Sequence, residues 1–261
     1  MNSTNELYTD LSAYYDLMCA DINYQEQSES AHRIHQVFGH GGRNYLDLAC
    51  GTGPHVEHFI QWGYTSTGLD INQPMLTRAA LRCPQASFSH QDMSHFIFEQ
   101  RFNLITCFLY SIHYAYPTQK LHQTFVSVFN ALHSGGVFCF DAVDKNTIAN
   151  DDGFTHSLQH NDAHFNFQSR WFYPGEDEKL DLHIRIEKVT KHKTQDKTQD
   201  RNKDKIEQWR DTHTMTALTI NSLREQLIGI GFEVTLLERD FTKLSPWNNT
   251  NGNVLVVCTK P

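Results

Sequence analysis

The stretch Tyr45-Leu46-Asp47-Leu48-Ala49-Cys50-Gly51-Thr52-Gly53-Pro54-His55 decides the fold. An apolar run ends in a Gly-x-Gly turn, and residues 55–62 continue as a helix candidate. Glycines at such a turn let the backbone reverse sharply and let a ligand approach without a Cβ in its way. Open α/β sheets take ligands beyond the carboxyl ends of their strands, which is where this turn falls.

Outward from the turn, strand-like runs at 44–49, 66–71, 86–90, 103–109 and 137–142 alternate with helix candidates at 55–62, 74–81 and 119–133. In the last of these, Leu121, Phe125, Val128, Phe129 and Leu132 recur at helical spacing, and Ser134-Gly135-Gly136 reads as the stop. The alternation predicts an α/β fold: a Rossmann-like, seven-stranded, mostly parallel sheet with helices on both faces. A further helix is expected at 27–38. After Ala142 the period changes to two. Phe165, Phe167, Ser169 and Trp171 alternate, Pro174-Gly175-Glu176-Asp177 turns the chain, and Leu180, Leu182, Ile184 and Ile186 alternate back. Residues 208–218 supply a third strand of this small antiparallel insertion after strand 5. Between them, 191–205 repeats Lys-Thr-Gln-Asp with almost no apolar side chain, so a mobile loop is expected. A helix at 219–229 and strands at 233–237 and 253–259 complete the sheet. The expected organisation is one domain from 1–149 and 213–261, with 150–212 as a β-rich lid on the acceptor side.

Composition narrows the function. Apolar residues make up 39% and aromatics 12% of 261 residues, enough for a large core and incompatible with wholesale disorder. No apolar stretch reaches the roughly 18 residues that span a bilayer, and the first residues lack the basic flank and apolar run of a secretory signal. A net charge of −8 argues against a nucleic-acid binder working by phosphate neutralisation. Full protonation of the 16 histidines would carry that charge to +8. The six cysteines contain no Cys-x-x-Cys pair, which fits small buried hydrophobes and reduced thiols in a cytoplasmic protein. The pairs His32/His35 and His55/His58 lack partners at zinc-like spacing, so no metal is expected and they read as surface histidines.

The ligand follows from what the turn lacks. A dinucleotide fingerprint would place its third glycine at Val56, and Pro54 removes an N–H that a pyrophosphate cradle needs. Asp47 would repel phosphate and attract an ammonium. Asp70 closes the second strand 23 residues on, placed for ribose hydroxyls, and Asp92 follows the third strand 22 residues later, placed for an adenine amine with Met93 against the ring. S-adenosylmethionine is phosphate-free and carries both an ammonium and a sulfonium, and it suits all three acids.

The sequence resembles class I S-adenosylmethionine-dependent methyltransferases over about 40–142. More narrowly, Asp47-Leu48-Ala49-Cys50-Gly51-Thr52-Gly53-Pro54-His55-Val56-Glu57-His58-Phe59, Met75-Leu76-Thr77-Arg78-Ala79, Gln91-Asp92-Met93 and Tyr15-Asp16-Leu17 are similar to the nucleotide-aminosugar N-methyltransferases. The resemblance implies that Asp47, Ala49, Gly51 and Gly53 contact the methionine end of the cofactor. It implies that Asp70 and Ile71 hold the ribose, that Asp92 and Met93 hold the adenine, and that Met75 and Phe108 line the cofactor. Tyr15 closes over the methionine end.

Methyl transfer to an amine or hydroxyl also needs a base near neutrality, and His113, after the fourth strand, is the candidate, with Tyr15, Tyr110 and Tyr114 shaping the pocket. The expected activity is methylation of nitrogen or oxygen on a small molecule, yielding S-adenosylhomocysteine, by a monomer or homodimer without nucleic-acid or membrane partners. A non-catalytic S-adenosylmethionine-binding protein and a nicotinamide-dependent oxidoreductase are the competing readings.

Overall fold

The computed structural model describes residue 7 and residues 12–150, 153–191 and 204–261. The strands β1 (Asn44–Leu48), β2 (Thr65–Asp70), β3 (Ser87–His90), β4 (Phe102–Cys107), β5 (Leu132–Val143), β10 (Glu233–Glu238) and β11 (Asn253–Thr259) build a seven-stranded sheet. Its order is β10-β11-β5-β4-β1-β2-β3. Strands β1 to β5 pair in parallel, while β11 runs antiparallel to both β5 and β10.

Helices cover both faces because the central strands are apolar on both sides. On one face, α5 (Thr118–Ala131) and α6 (Ile220–Ile230) bring Leu121, Phe125, Leu223 and Leu227 against Leu46, Ile105, Phe138 and Phe140. On the other, α2 (Tyr24–Phe38), α3 (Pro54–Gln61) and α4 (Gln73–Arg82) bring Ile34, Phe59 and Leu76 against Tyr45, Leu104 and Val257.

Helix α2 starts at Tyr24, three residues before the expected 27, because Asn23 caps it by accepting from the Glu26 N–H at 3.1 Å. Helix α5 ends at Ala131, and Ser134-Gly135-Gly136 belongs to β5 rather than stopping a helix. Gly135 at φ +73° lies where β5 shifts register against β4, between the Phe102 and Leu104 pairings.

The insertion is a separate antiparallel sheet of four strands in the order β6 (Phe154–His160), β7 (Ala163–Phe172), β8 (Lys179–Thr190) and β9 (Lys205–Thr216). Strand β6 was not among the expected strands. Its sequence, FTHSLQH, carries few apolar residues, as an edge strand does. The expected loop at 191–205 falls for the most part on 192–203, outside the described residues. One face of the sheet, with Phe165, Phe167, Ile184 and Ile186, packs on Leu7 and on Tyr14, Tyr15, Leu17 and Met18 of α1 (Ser12–Met18), a helix the sequence reading had not marked.

All six cysteines are buried and unbridged. The histidine pairs are not uniformly on the surface. His35 and His55 are buried: the Tyr64 hydroxyl lies within hydrogen-bond distance of Nδ1 of both His32 (3.0 Å) and His35 (2.8 Å), and Ser28 meets His55 Nδ1 at 3.0 Å. Among the described residues no helix is long and apolar enough to cross a membrane.

Candidate active site

A cleft of about 840 Å3, counting its open mouth, lies beyond the carboxyl ends of β1, β2 and β3. Nine of the expected residues line it: Tyr15, Ala49, Gly51, Asp70, Ile71, Met75, Asp92, Met93 and Tyr114. Tyr15 and Ala49 also line a smaller chamber whose walls include Asp47, His55 and Phe108, so the two spaces adjoin.

The strand ends are shaped for this opening. Ala49 takes a left-handed conformation at φ +54°, and Gly51 follows at +54° and Gly53 at +81°. Such a conformation costs a residue with a Cβ about 1 kcal/mol or more, and strain of this kind clusters at ligand sites. Asp70 fixes the loop: its Oδ2 accepts from the Gly51 N–H at 2.9 Å and its Oδ1 from the Asn72 N–H at 2.8 Å. Burial pushes its carboxyl up, against the pull of those amides. Gly53 lies outside the cleft. It donates its N–H to the Cys50 carbonyl, and a Cβ there would meet Ala79 at 3.2 Å, so its absence of side chain serves the packing of α4.

Asp47 is fully buried. Thr106 Oγ1 donates to its Oδ1 at 2.8 Å and itself accepts from Tyr45 Oη at 2.6 Å. The second oxygen, Oδ2, has no hydrogen-bond partner among the described residues, and burial pushes the carboxyl up to about 7. His55 Nε2, on the same chamber, is likewise unpartnered, and burial holds that ring down to about 3.

Asp92 differs. Burial opposes its ionisation, but hydrogen bonds from Ser94 N (2.9 Å) and Oγ (2.7 Å) and from Lys120 Nζ (3.0 Å) outweigh it and hold the carboxyl below the usual range. Lys120, from the first turns of α5, is a cleft residue the sequence reading missed. Beside it, Ile71 is 57% exposed, an apolar side chain presented to the cleft rather than to the core.

Helix α1 is latched over this cleft. Asp16 accepts from Thr52 Oγ1 at 2.6 Å and from Arg78 at 3.1 Å, so the residue beside Tyr15 is tied to the glycine loop and to α4. After β4, Leu109 and Tyr110 both adopt left-handed conformations. Asp141 of β5 steadies them by accepting from the Tyr110 N–H at 2.8 Å, and its other oxygen pairs with Arg239 at 2.8 Å.

His113 does not reach the cleft. It is fully buried in the 3-10 turn Ser111–Tyr114, where Nδ1–H donates to the Thr216 carbonyl at 2.8 Å and Nε2 accepts from the Val143 N–H at 3.2 Å. With both nitrogens committed to backbone and burial holding the ring down to about 4, it joins β5 to β9 and cannot serve as the expected base. Its neighbour Tyr114 lines the cleft instead. The Tyr114 hydroxyl meets His213 Nδ1 at 2.6 Å, and His213 Nε2 meets Asp211 Oδ2 at 2.9 Å. Asp211-Thr212-His213 lies on β9, and the i, i+2 spacing of acid and histidine on one strand face is the signal that could have found the pair.

The sheet order, the glycine loop after β1 and the acids at or just beyond the ends of β1, β2 and β3 meet at one edge of the sheet. Residues 46–136 match the family described as "Methyltransferase domain". Over 92 residues the chain is 36% identical to the dTDP-3-amino-3,4,6-trideoxy-alpha-D-glucopyranose N,N-dimethyltransferase of Streptomyces venezuelae, a match spanning 35% of this chain and only 39% of that enzyme. It is 26% identical to the putative methyltransferase YqeM of Bacillus subtilis over 92% of both chains. In fold it is similar to Streptomyces venezuelae DesVI, with a TM-score of 0.77 at 21% identity over 97% of this chain and 99% of that one. It is similar as well to an S-adenosylmethionine-dependent methyltransferase from Clostridium acetobutylicum, with a TM-score of 0.74 at 20% identity over 99% of both chains.

Proposed function

We propose that the chain binds S-adenosylmethionine in this cleft and methylates the nitrogen or oxygen of a small molecule, with an amine as the favoured acceptor. The observation that carries the reading is Asp47, which lines the chamber beside the cleft and whose Oδ2 has no hydrogen-bond partner among the described residues. A buried acceptor without a partner costs about 1–3 kcal/mol, more if charged, and a ligand ammonium relieves that cost. A dinucleotide phosphate would worsen it.

In this reading Asp47, Ala49 and Gly51 hold the methionine end and Tyr15 covers it. Asp70 and Ile71 take the ribose, Asp92 and Met93 the adenine, and Met75 and Phe108 supply apolar walls. S-adenosylmethionine supplies an already activated methyl group on a sulfonium. The protein's part is then to position the acceptor and exclude water. The insertion, whose last strand β9 runs on to Thr216 past the expected boundary at 212, forms the acceptor wall of the cofactor domain. Three relatives carry names of aminosugar N,N-dimethyltransferases, which supports an amine acceptor. The net charge of −8 supports a reading without nucleic acid, and the unbridged cysteines support a cytoplasmic setting, as monomer or homodimer.

Thermal unfolding with S-adenosylmethionine, S-adenosylhomocysteine or NAD tests the cofactor: the first two should raise the midpoint, and equal stabilisation by NAD overturns the assignment. Release of S-adenosylhomocysteine then identifies the acceptor from a panel of primary amines, headed by the dTDP-3-aminosugars, each paired with its hydroxyl counterpart.

A further inference from the structure

We infer that Tyr114, His213 and Asp211 form a proton relay that deprotonates the acceptor amine, with Tyr114 as the residue that touches it; this rests on the methyl-transfer reading above. The chain of contacts joins the two sheets. Tyr114 stands on the 3-10 turn after β4 and lines the cleft, and His213 and Asp211 stand on β9 of the insertion. The phenol oxygen lies 2.6 Å from His213 Nδ1, and His213 Nε2 lies 2.9 Å from Asp211 Oδ2.

The carboxylate at one end of the chain sets the direction of each hydrogen bond. Asp211 accepts only, so His213 carries its proton on Nε2 and turns the Nδ1 lone pair towards Tyr114. Tyr114 therefore donates to His213. Asp211 is itself held: its Oδ1 accepts from the Thr212 N–H at 2.8 Å and its Oδ2 from the Leu7 N–H at 3.4 Å. His213 is fully buried, opposite Leu182 in the β8–β9 ladder, and burial keeps the imidazole below its ordinary value against the pull of Asp211. At neutral pH it is thus unprotonated and able to receive a proton. The arrangement differs from that of His113, whose two nitrogens are both taken by backbone.

The step balances as follows. An alkylammonium gives one proton to the Tyr114 oxygen as the phenol's own proton passes to His213 Nδ1. The resulting imidazolium is stabilised by the Asp211 carboxylate. The lone pair exposed on nitrogen forms the new N–C bond to the methyl group, and the C–S pair of the sulfonium donor leaves on sulfur. Tyr114 is the catalytic residue here. His213 and Asp211 act through it.

The test measures kcat and kcat/KM of the full chain against pH with the amine panel above, for the unchanged protein, Tyr114→Phe and His213→Gln. Positioned acid–base groups contribute about 100-fold to 10,000-fold. Each variant should therefore lose at least about 100-fold at pH 7, and the loss should shrink towards pH 9.5 as the amine sheds its proton unaided. Affinity for S-adenosylhomocysteine, read by calorimetry, should stay within about threefold, and this also reports that each variant is folded. A purely structural role would lower the rate equally at every pH or lower cofactor affinity, and either result overturns the relay. Unchanged pH profiles in both variants overturn it too and leave methyl transfer standing. If the unchanged protein methylates hydroxyl compounds and none of the amines, the amine acceptor and the relay fall together while cofactor binding stands.

Discussion

The Oδ2 atom of Asp70 accepts a hydrogen bond from the Gly51 N–H at 2.9 Å, so the acid that closes β2 holds the glycine loop that follows β1. The same carboxylate lines the cleft. In the proposed function, architecture and ligand binding are therefore coupled in one side chain. Replacing Asp70 by Ala removes the acceptor of two backbone amides as well as the expected ribose contact. Hydrogen bonds to charged groups are worth about 1.5–3 kcal/mol each, so affinity for S-adenosylhomocysteine should fall at least about tenfold and the melting temperature should drop. An unaltered dissociation constant by calorimetry refutes the ribose assignment.

Asp47 should make binding depend on pH. Burial raises its carboxyl to about 7, so a chain without ligand holds it largely protonated at pH 6. An ammonium needs the carboxylate, so binding there releases a proton, and affinity falls about tenfold per unit as pH drops below 7. By the same sign, the unliganded fold loses stability as pH rises from the ordinary carboxyl value towards 7. Calorimetry in two buffers of different ionisation heat counts the released proton, and Asp47→Asn should abolish it.

His113 should prove structural. His113→Gln breaks the bonds to Thr216 and Val143 in a fully buried place, and unsatisfied buried groups cost about 1–3 kcal/mol each. The sign of its titration gives a second check. A histidine lowered to about 4 penalises the fold as pH falls below its ordinary 6.5, and the variant lacks this penalty. The stability gap between the two proteins in urea should narrow by about 2 kcal/mol between pH 7 and pH 5. A gap that stays constant contradicts a neutral, buried His113.

The Asp16 latch should matter for ligand more than for folding. Its partners Arg78 and Arg82 are about one-third exposed, and pairs of that kind contribute about 0–1 kcal/mol. Asp16→Ala should leave the denaturation midpoint nearly unchanged and raise the dissociation constant of S-adenosylhomocysteine, because Tyr15 loses its anchor. A variant with full affinity would show that α1 needs no latch to cover the cleft.

What could be read from sequence was what lies in chain order. The glycine loop and Asp47, Asp70 and Asp92 recur at the spacing of one strand–helix unit, and the parallel sheet brings them to one edge. Orientation within a single turn could not be read. His113 and Tyr114 are neighbours, yet one is locked into the core and the other lines the cleft, a difference that only the Thr216 and Val143 contacts decide. His213 was hidden for another reason: it lies 99 residues from Tyr114 and meets it only once β9 has folded against the 3-10 turn. Strand β6 escaped because a polar edge strand lacks the apolar alternation that marks its neighbours.

The contact between Tyr114 and His213 also sets a rule for building chimeras. The insertion resembles a cassette, with its own sheet and its own apolar face, and exchanging it between relatives is a natural route to new acceptors. Its strand β9 nevertheless ends in side chains that are completed by the turn at Ser111–Tyr114, which belongs to the other sheet. A transplanted cassette that leaves this turn behind would arrive with half of a wall, so the graft has two ends, 150–216 and 111–114, and they must travel together.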